Sequence, residues 1–390
     1  MTTLHQATVI DTGGDPQRDT RIAAIETRIV DCSTTRRHKL SNTEITHQSY
    51  VIVEATLVSG AVGYGEASTL GGPRWAEESV EAIKANIDTY IAPTLIGQYA
   101  LSFEANALLM KKAVSRNSSA RAAVEGALFD AVGKTFDLPA SALLGGQVRD
   151  RIEVLWALAS GDADQEIEEA RGKLAAREHR RFKIKLGFHS PADDMARLRK
   201  IIDAMPEGTE VVVDVNQGWS EATAIRYLPE LAELGVALIE QPLHPGQLAA
   251  TARIAARSRV PIMTDEAAFS NPELVQNAAA ATGSVYSLKL VKSGGLLELK
   301  RAAGIASAFG MELYGGCLLE SGIGAAAHMA VFSTLPTLEW GCEHFGPRIL
   351  KNDLTSSGLF FQDFHIHMPT GPGLGITVDQ DLLRDVTRAA

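Results

Sequence analysis

Five charged residues recur along the middle of the chain at near-constant intervals. Lys185, Asp214, Glu240, Asp265 and Lys289 lie 29, 26, 25 and 24 residues apart, each at the end of a short apolar or β-branched run. That interval is one strand-plus-helix repeat of a parallel sheet, so successive strands deliver their terminal side chains to one edge. Strand-like runs at 153–158, 182–186, 210–215, 237–240, 261–264, 285–290, 312–314 and 338–340 alternate with helix-period stretches. Eight such strands predict a β/α barrel rather than an open sheet, since no G-x-G-x-x-G opens a helix after the first of them.

The preceding part has a different texture. Runs at 22–31, 50–58 and 62–67, broken at Ser59-Gly60, read as an antiparallel meander, followed by amphipathic helices over 77–91 and 120–134. The predicted class is α/β: a modified TIM-type barrel over 149–357, an α+β capping domain over 21–148, a polar tail over 1–20, and a segment over 358–390 that packs back on the capping domain.

Charge and cysteine usage narrow the partners. A net charge of −10 on 390 residues argues against nucleic-acid or anionic-membrane surfaces and leaves a small molecule as the expected partner. No apolar run reaches the roughly 18 residues a membrane span needs, and the amino-terminal stretch lacks the apolar core of a secretory signal. Cys32, Cys317 and Cys342 show no CxxC spacing, so neither a zinc site nor a disulfide framework is indicated and a cytoplasmic setting is expected.

Three carboxylates on adjacent strands are costly to bury unless they share a cation. Asp214, Glu240 and Asp265 offer the hard oxygen ligands that suit Mg²⁺ or Mn²⁺. The alternative for each acid alone is a helix cap, but a cap does not require this cadence. In Lys183-Ile184-Lys185 the strand period of two turns both amines to the inward face, and Lys289 approaches from across the barrel. Desolvation, a second ammonium and a nearby cation all favour a neutral Lys185, the form able to take up or deliver a proton near neutral pH. A structural ion-pair cluster, or a barrel that only binds its ligand, is the bland alternative; paired proton-transfer groups argue against it. The combination suits chemistry at a carbon next to a carboxylate, with a metal stabilising the enolate.

These motifs, Lys183-Ile184-Lys185, Asp214-Val215-Asn216-Gln217, Ile239-Glu240-Gln241-Pro242, Asp265-Glu266, Leu288-Lys289 and Gly315-Gly316-Cys317-Leu318-Leu319-Glu320, resemble the muconate lactonizing subgroup of the enolase superfamily. The resemblance implies a (β/α)₇β barrel with an α+β cap, a divalent metal on Asp214, Glu240 and Asp265, and Asn216 and Glu266 behind those ligands. It also implies Lys185 as the proton carrier, Lys289 opposite it, and Lys183 assisting. Longer stretches, Arg37-His38-Lys39-Leu40, Ser68-Thr69-Leu70-Gly71-Gly72, Trp156 to Asp162 and Trp340 to Pro347, are similar to muconate and chloromuconate cycloisomerases. That likeness implies a small dicarboxylate substrate, His38 and Lys39 near its carboxylates, Leu70 and Trp75 in the lid, Phe345 in the pocket and Glu320 near the enolate. A homo-octamer is implied as well. Trp75 and Cys317 depart from the tyrosine and threonine expected at those places. An o-succinylbenzoate synthase or an N-acylamino acid racemase or dipeptide epimerase of the same superfamily is the alternative. Against the epimerase, Glu343-His344-Phe345 stands where Asp-x-Asp is expected.

Overall fold

Alternating burial builds the first unit. The computed structural model describes residues 19–40, 43–75 and 77–389, so the polar tail expected over 1–20 lies, apart from Asp19 and Thr20, outside the described residues. Strands β1 (Ile22–Lys39), β2 (Glu44–Leu57) and β3 (Val62–Thr69) form an antiparallel sheet in that order. The first two run further than hydropathy predicts. Beyond Asp31 the inward positions of β1 include the polar Thr34 and His38, so alternation persists without an apolar signal. The β1–β2 register shifts between Ser33 and His38.

The helix Ser118–Phe136 lies against this sheet. A Cβ on Gly65 would sit 1.9 Å from the Ala123 carbonyl oxygen, so glycine there sets the approach. The helix expected over 77–91 begins at Val80, where the Ser79 hydroxyl accepts from Ala82 N–H, and widens to a π-type turn over Ile87–Ile91. The pattern gives no sign of the helix Phe103–Ala113, whose buried face includes Asn106 beside Ala107 and Met110.

Seven parallel strands then follow in sequential order: β5 (Trp156–Leu158), β6 (Arg181–Lys185), β7 (Glu210–Asp214), β8 (Leu238–Glu240), β9 (Ile262–Thr264), β10 (Val285–Leu288) and β11 (Glu312–Gly315). Two boundaries differ from expectation. The run at 153–158 divides: β4 (Arg151–Glu153) pairs antiparallel with the carboxyl-terminal strand His365–His367, and only its second half enters the barrel. No strand forms at 338–340, where Leu338 is buried and Trp340 donates its indole N–H to Glu312. The ring closes instead through Cys342, which bridges Gly315 on one side and Val154 on the other; Leu155 N–H donates to its carbonyl at 2.9 Å. Hydropathy points to the wrong residues because the closing segment is short and its two neighbours, Gly341 and Glu343, are not apolar.

Leu155, Val212, Leu238, Met263, Val285 and Tyr314 pack together along the barrel axis, a dry floor beneath the strand ends. Cap and barrel are tied by polar groups: the buried Glu125 carboxylate of the Ser118–Phe136 helix accepts from Leu297 N–H at the start of the helix Leu296–Ala308. The carboxyl-terminal segment touches both units, through β4 and through Arg388 N–H to the Ile29 carbonyl on β1. No described helix is long and apolar enough to cross a membrane.

Candidate active site and metal centre

Register brings the charged residues together. Lys185 pairs with Asp214 across β6 and β7, and Asp214 pairs with Glu240 across β7 and β8, so three side chains stand abreast on one face. In a parallel sheet such neighbours are about 4.8 Å apart. Asp265 follows β9, and Lys289 follows β10 at the start of the short helix Leu290–Ser293. Every group in this set is buried.

Each amine finds a carboxylate. Lys185 Nζ is 2.6 Å from Asp214 Oδ2 and donates to Asn216 Oδ1 at 3.3 Å, while Asn216 Nδ2 donates to Glu266 Oε1 at 3.2 Å. Lys289 Nζ donates to Asp265 Oδ2 at 2.6 Å from the facing side. Lys183, one pleat deeper, lies 2.5 Å from Glu240 Oε2, without hydrogen-bond geometry to it, and donates to Glu343. Its ammonium rests over the Tyr314 ring that forms part of the floor.

The backbone after these strands is strained. Asn216, Gln217 and Gln241 hold left-handed φ values of 43°, 68° and 34° without being glycine. They are held by bonds between neighbouring strand ends: Gln217 N–H donates to the Gln241 carbonyl at 2.8 Å, and Gln241 Oε1 accepts from Asp265 N–H at 3.0 Å. Gly316 has a different task. A Cβ there would lie 2.2 Å from Ser287 Oγ and 2.6 Å from Lys289 Cε. Gly316→Ala therefore displaces the Lys289 amine; the expected result is a kcat loss of ~10²-fold, as for misplacement of a reacting group, with a smaller change in thermal midpoint. Unchanged steady-state rates would refute that placement.

Five buried carboxylates, Asp214, Glu240, Asp265, Glu266 and Glu343, face four buried lysines, Lys183, Lys185, Lys289 and Lys292. Burial and the adjacent Asp214 push Glu240 well above the carboxylate range. Burial also acts to raise Asp265, but Lys289 and Lys292 hold it well below that range. Burial and the Asp265 charge lift Glu266 to about 7. The lysines correct an expectation: burial acts to lower Lys183, Lys185 and Lys289, yet the carboxylates against them win and hold all three above the ordinary amine value. With direct carboxylate contact on each, desolvation alone does not neutralise Lys185.

The donor set suits a hard divalent cation. Both oxygens of Glu240, Asp265 Oδ1 and Glu266 Oε2 are buried without hydrogen-bond geometry to a partner, although Glu240 Oε2 lies 2.5 Å from Lys183 Nζ and Asp265 Oδ1 3.0 Å from Lys292 Nζ; acidic oxygens so crowded and so short of hydrogen bonds suit a shared cation. Glu320, His328 and His344 also bring ligand atoms within 4.8 Å of one another. That trio does not fit a metal: His328 Nε2 accepts from Leu290 N–H at 3.0 Å and its Nδ1 is engaged with the Gly324 carbonyl at 2.8 Å, so the ring has no lone pair to give.

Residues expected around the substrate have mixed placements. Trp75 stacks its ring over Lys289 at 4.3 Å and against Phe269, and Leu70, just past the end of β3, is buried. His38 is buried with Nδ1 unpartnered, and burial, with Arg36 and the two barrel lysines, keeps it neutral. Lys39 N–H donates to the Ala159 carbonyl, and the Phe345 ring is 6.4 Å from His38 and 4.8 Å from Trp156. Glu320 is bonded to neither Lys185 nor Lys289; its Oε2 accepts from Leu318 N–H at 2.8 Å. Sequence reasoning missed Glu343, Lys292 and Tyr314 as members of the cluster. Glu343 follows the closing residue Cys342, a position hidden by the misplaced eighth strand, and Lys292 lies one helical turn past Lys289.

A cleft of about 620 Å³ on the outer helices Pro191–Asp203 and Glu221–Glu233 contains none of these groups. An opening of about 430 Å³ lined by Trp75, Gln217, Glu266 and Phe269 does reach them.

Fold and site together define a barrel enzyme of the enolase type, with lysines flanking a carboxylate cluster under an α+β cap. Residues 24–145 match the family described as Mandelate racemase / muconate lactonizing enzyme, N-terminal domain, and residues 165–382 match Enolase C-terminal domain-like. The chain belongs to this family. It is 43% identical to Chloromuconate cycloisomerase CbnB of Cupriavidus necator over 370 residues, covering 95% of this chain and all of that one. It is 41% identical to Muconate cycloisomerase 1-2 of Acinetobacter lwoffii, covering 95% and 97% of the two chains. The muconate lactonizing enzyme from Pseudomonas fluorescens complexed with muconolactone superposes with a TM-score of 0.94 at 41% identity, covering 95% of this chain and 100% of that one.

Proposed function

We propose that this chain is a metal-dependent cycloisomerase that converts cis,cis-muconate, and chlorinated muconates, to the corresponding muconolactone. The observation that carries the reading is the facing pair of amines, Lys185 and Lys289, on either side of a carboxylate cluster with buried oxygens that accept no hydrogen bond. Full-length relatives bearing that activity in their names support it.

A divalent cation, Mn²⁺ or Mg²⁺, held by Asp214, Glu240 and Asp265 would supply Lewis-acid stabilisation of an enolate formed on one substrate carboxylate. In the proposed reaction the second carboxylate forms a C–O bond to the diene carbon β to the first carboxylate, the π bond at that carbon breaks with its electron pair moving to the α-carbon, and Lys185 Nζ delivers a proton there, while the other double bond stays in the lactone ring. Attack and protonation share the Lys185 face, so the addition is syn. The muconate dianion becomes a lactone monoanion, so one proton per turnover is drawn from solvent to reload Lys185. Asn216, bonded to both Lys185 and Glu266, aims that amine. Lys183 offsets the charge of Glu240 and Glu343. Lys289 and neutral His38 bind the dicarboxylate, with Lys39 and Phe345 nearby; Leu70 and Trp75 exclude water.

The reading extends to a capping unit over 21–148 and a catalytic barrel over 149–357, with a carboxyl-terminal segment from 358. It also extends to a homo-octamer in the cytoplasm, the latter supported by three buried free cysteines. The decisive assay follows loss of the muconate diene absorbance with Mn²⁺, beside a chlorinated muconate and an N-succinyl amino acid. Muconate loss with uptake of one proton per molecule is the expected result. Racemisation of the N-succinyl amino acid with no muconate turnover would replace this reading by the racemase one.

A further inference from the structure

We infer that Gln48 is a positioning residue that fastens the lid segment to the loop following β11, and through that fastening sets how firmly substrate is held. The kinetic part rests on the cycloisomerase reading. Gln48 lies on β2 with 1% of its surface exposed. Its one amide nitrogen donates to two carbonyls from different units: Thr69 at 2.8 Å and Leu318 at 2.9 Å.

Both carbonyls begin segments that line the site. Thr69 ends β3 and leads into Leu70 and Trp75, the latter stacked on Lys289. Leu318 follows Cys317, whose N–H donates to Glu343 Oε1 at 2.9 Å, and its own N–H holds Glu320. Next comes Leu319 with a left-handed φ of 56°. Two other cap residues also grip this loop: Tyr50 Oη donates to the Leu319 carbonyl at 2.6 Å, and Glu66 accepts from Ser321 N–H at 3.0 Å. The Tyr50 contact secures the loop to β2, and the Glu66 contact secures it to the middle of β3, three residues short of Thr69. Gln48 joins loop and lid.

Gln48 Oε1 is buried with no partner, a cost that a residue kept for space-filling would not carry, since methionine fills a similar volume without it. Behind the lid lies a cleft of about 370 Å³ lined by Thr43, Gly72, Arg74 and Glu81, room into which an unfastened lid can swing. Losing the Thr69 and Leu318 bonds together removes the side-chain tie between lid and loop and leaves Thr69 with its β2–β3 pairing to Ser49, which holds the lid on the cap side only.

Gln48→Met, Gln48→Glu and Tyr50→Phe, made in the full chain, test the inference by two readouts. The first needs no substrate: trypsin cleavage after Arg74, followed by fragment mass, is expected to rise ~10-fold in Gln48→Met and to stay within about twofold of wild type in Tyr50→Phe, since local opening governs such cleavage. In the second, KM for muconate rises ~10-fold in Gln48→Met with kcat within about threefold, as when binding is lost uniformly. Gln48→Glu, which turns an acceptor toward both carbonyls, exceeds Gln48→Met in both readouts. Equal effects of Tyr50→Phe and Gln48→Met, or unaltered cleavage after Arg74, would overturn the inference and reduce Gln48 to a packing residue. If wild type does not consume muconate, the cycloisomerase reading fails while the proteolysis still decides the role of Gln48.

Discussion

Lys185→Ala loses turnover by a factor on the order of 10⁴, the upper end of what a positioned proton donor supplies, while binding Mn²⁺ at least as well as wild type. The second half follows from the ion pairs. Lys185 spends its charge on Asp214 Oδ2, one of the oxygens proposed to face the cation. Without the amine, that carboxylate is buried with no opposite charge in contact, a state that costs about 3–5 kcal/mol when one partner of a buried pair is removed. A divalent cation relieves that cost. The variant should therefore show a lower thermal midpoint without metal, and a larger rise than wild type when Mn²⁺ is added. Diene absorbance gives the rate and a metal titration followed by calorimetry gives the affinity. Wild-type turnover in Lys185→Ala would remove the residue from the chemistry.

Glu240→Gln is expected to separate activity from stability. Both Glu240 oxygens lack hydrogen-bond partners, and Asp214 and Asp265 crowd it with like charge. Exchanging one oxygen for an amide weakens the cation's coordination and takes several kcal/mol from enolate stabilisation, a rate loss on the order of 10³-fold. Metal-free protein responds in the opposite sense. Burial and Asp214 already drive the metal-free Glu240 carboxyl toward its neutral form, a penalty of folding that an amide does not carry, and Lys183 keeps its partner in Glu343. The midpoint of the metal-free variant therefore rises by a few degrees while the increment on adding Mn²⁺ shrinks, as befits a residue retained for function at the expense of stability. A metal-free midpoint below that of wild type would mean that Glu240 serves chiefly as the partner of Lys183.

Much of this centre is legible in the chain because the barrel converts sequence spacing into spatial order. A strand and its return helix occupy about the same number of residues each time, so the cadence from Lys185 to Lys289 becomes a ring of neighbours. The period of two likewise places Lys183 and Lys185 on one face. Both inferences are local, resting on backbone geometry that depends little on what surrounds it.

What the linear pattern could not supply depended on closure and on contacts between units. The barrel's last position is a bridge at Cys342, too short to carry a period, and Glu343 joins Lys183 only once the ring has closed. Beyond Asp31 the buried positions of β1 are Cys32, Thr34 and His38, two of them polar, so no hydropathy signal marks them. Charge state was decided by tertiary contact too: burial alone predicts neutral lysines, whereas the carboxylates against Lys183, Lys185 and Lys289 reverse the direction, and for Lys292 burial prevails over Asp265. Sequence by itself thus determined that Lys185, Asp214, Glu240, Asp265 and Lys289 share the barrel's mouth, since repeat length and strand period are properties of the backbone. The tertiary structure alone decided which acid touches which amine, and through Gln48 how the lid is tied to the barrel, since those depend on distances between segments far apart in the chain.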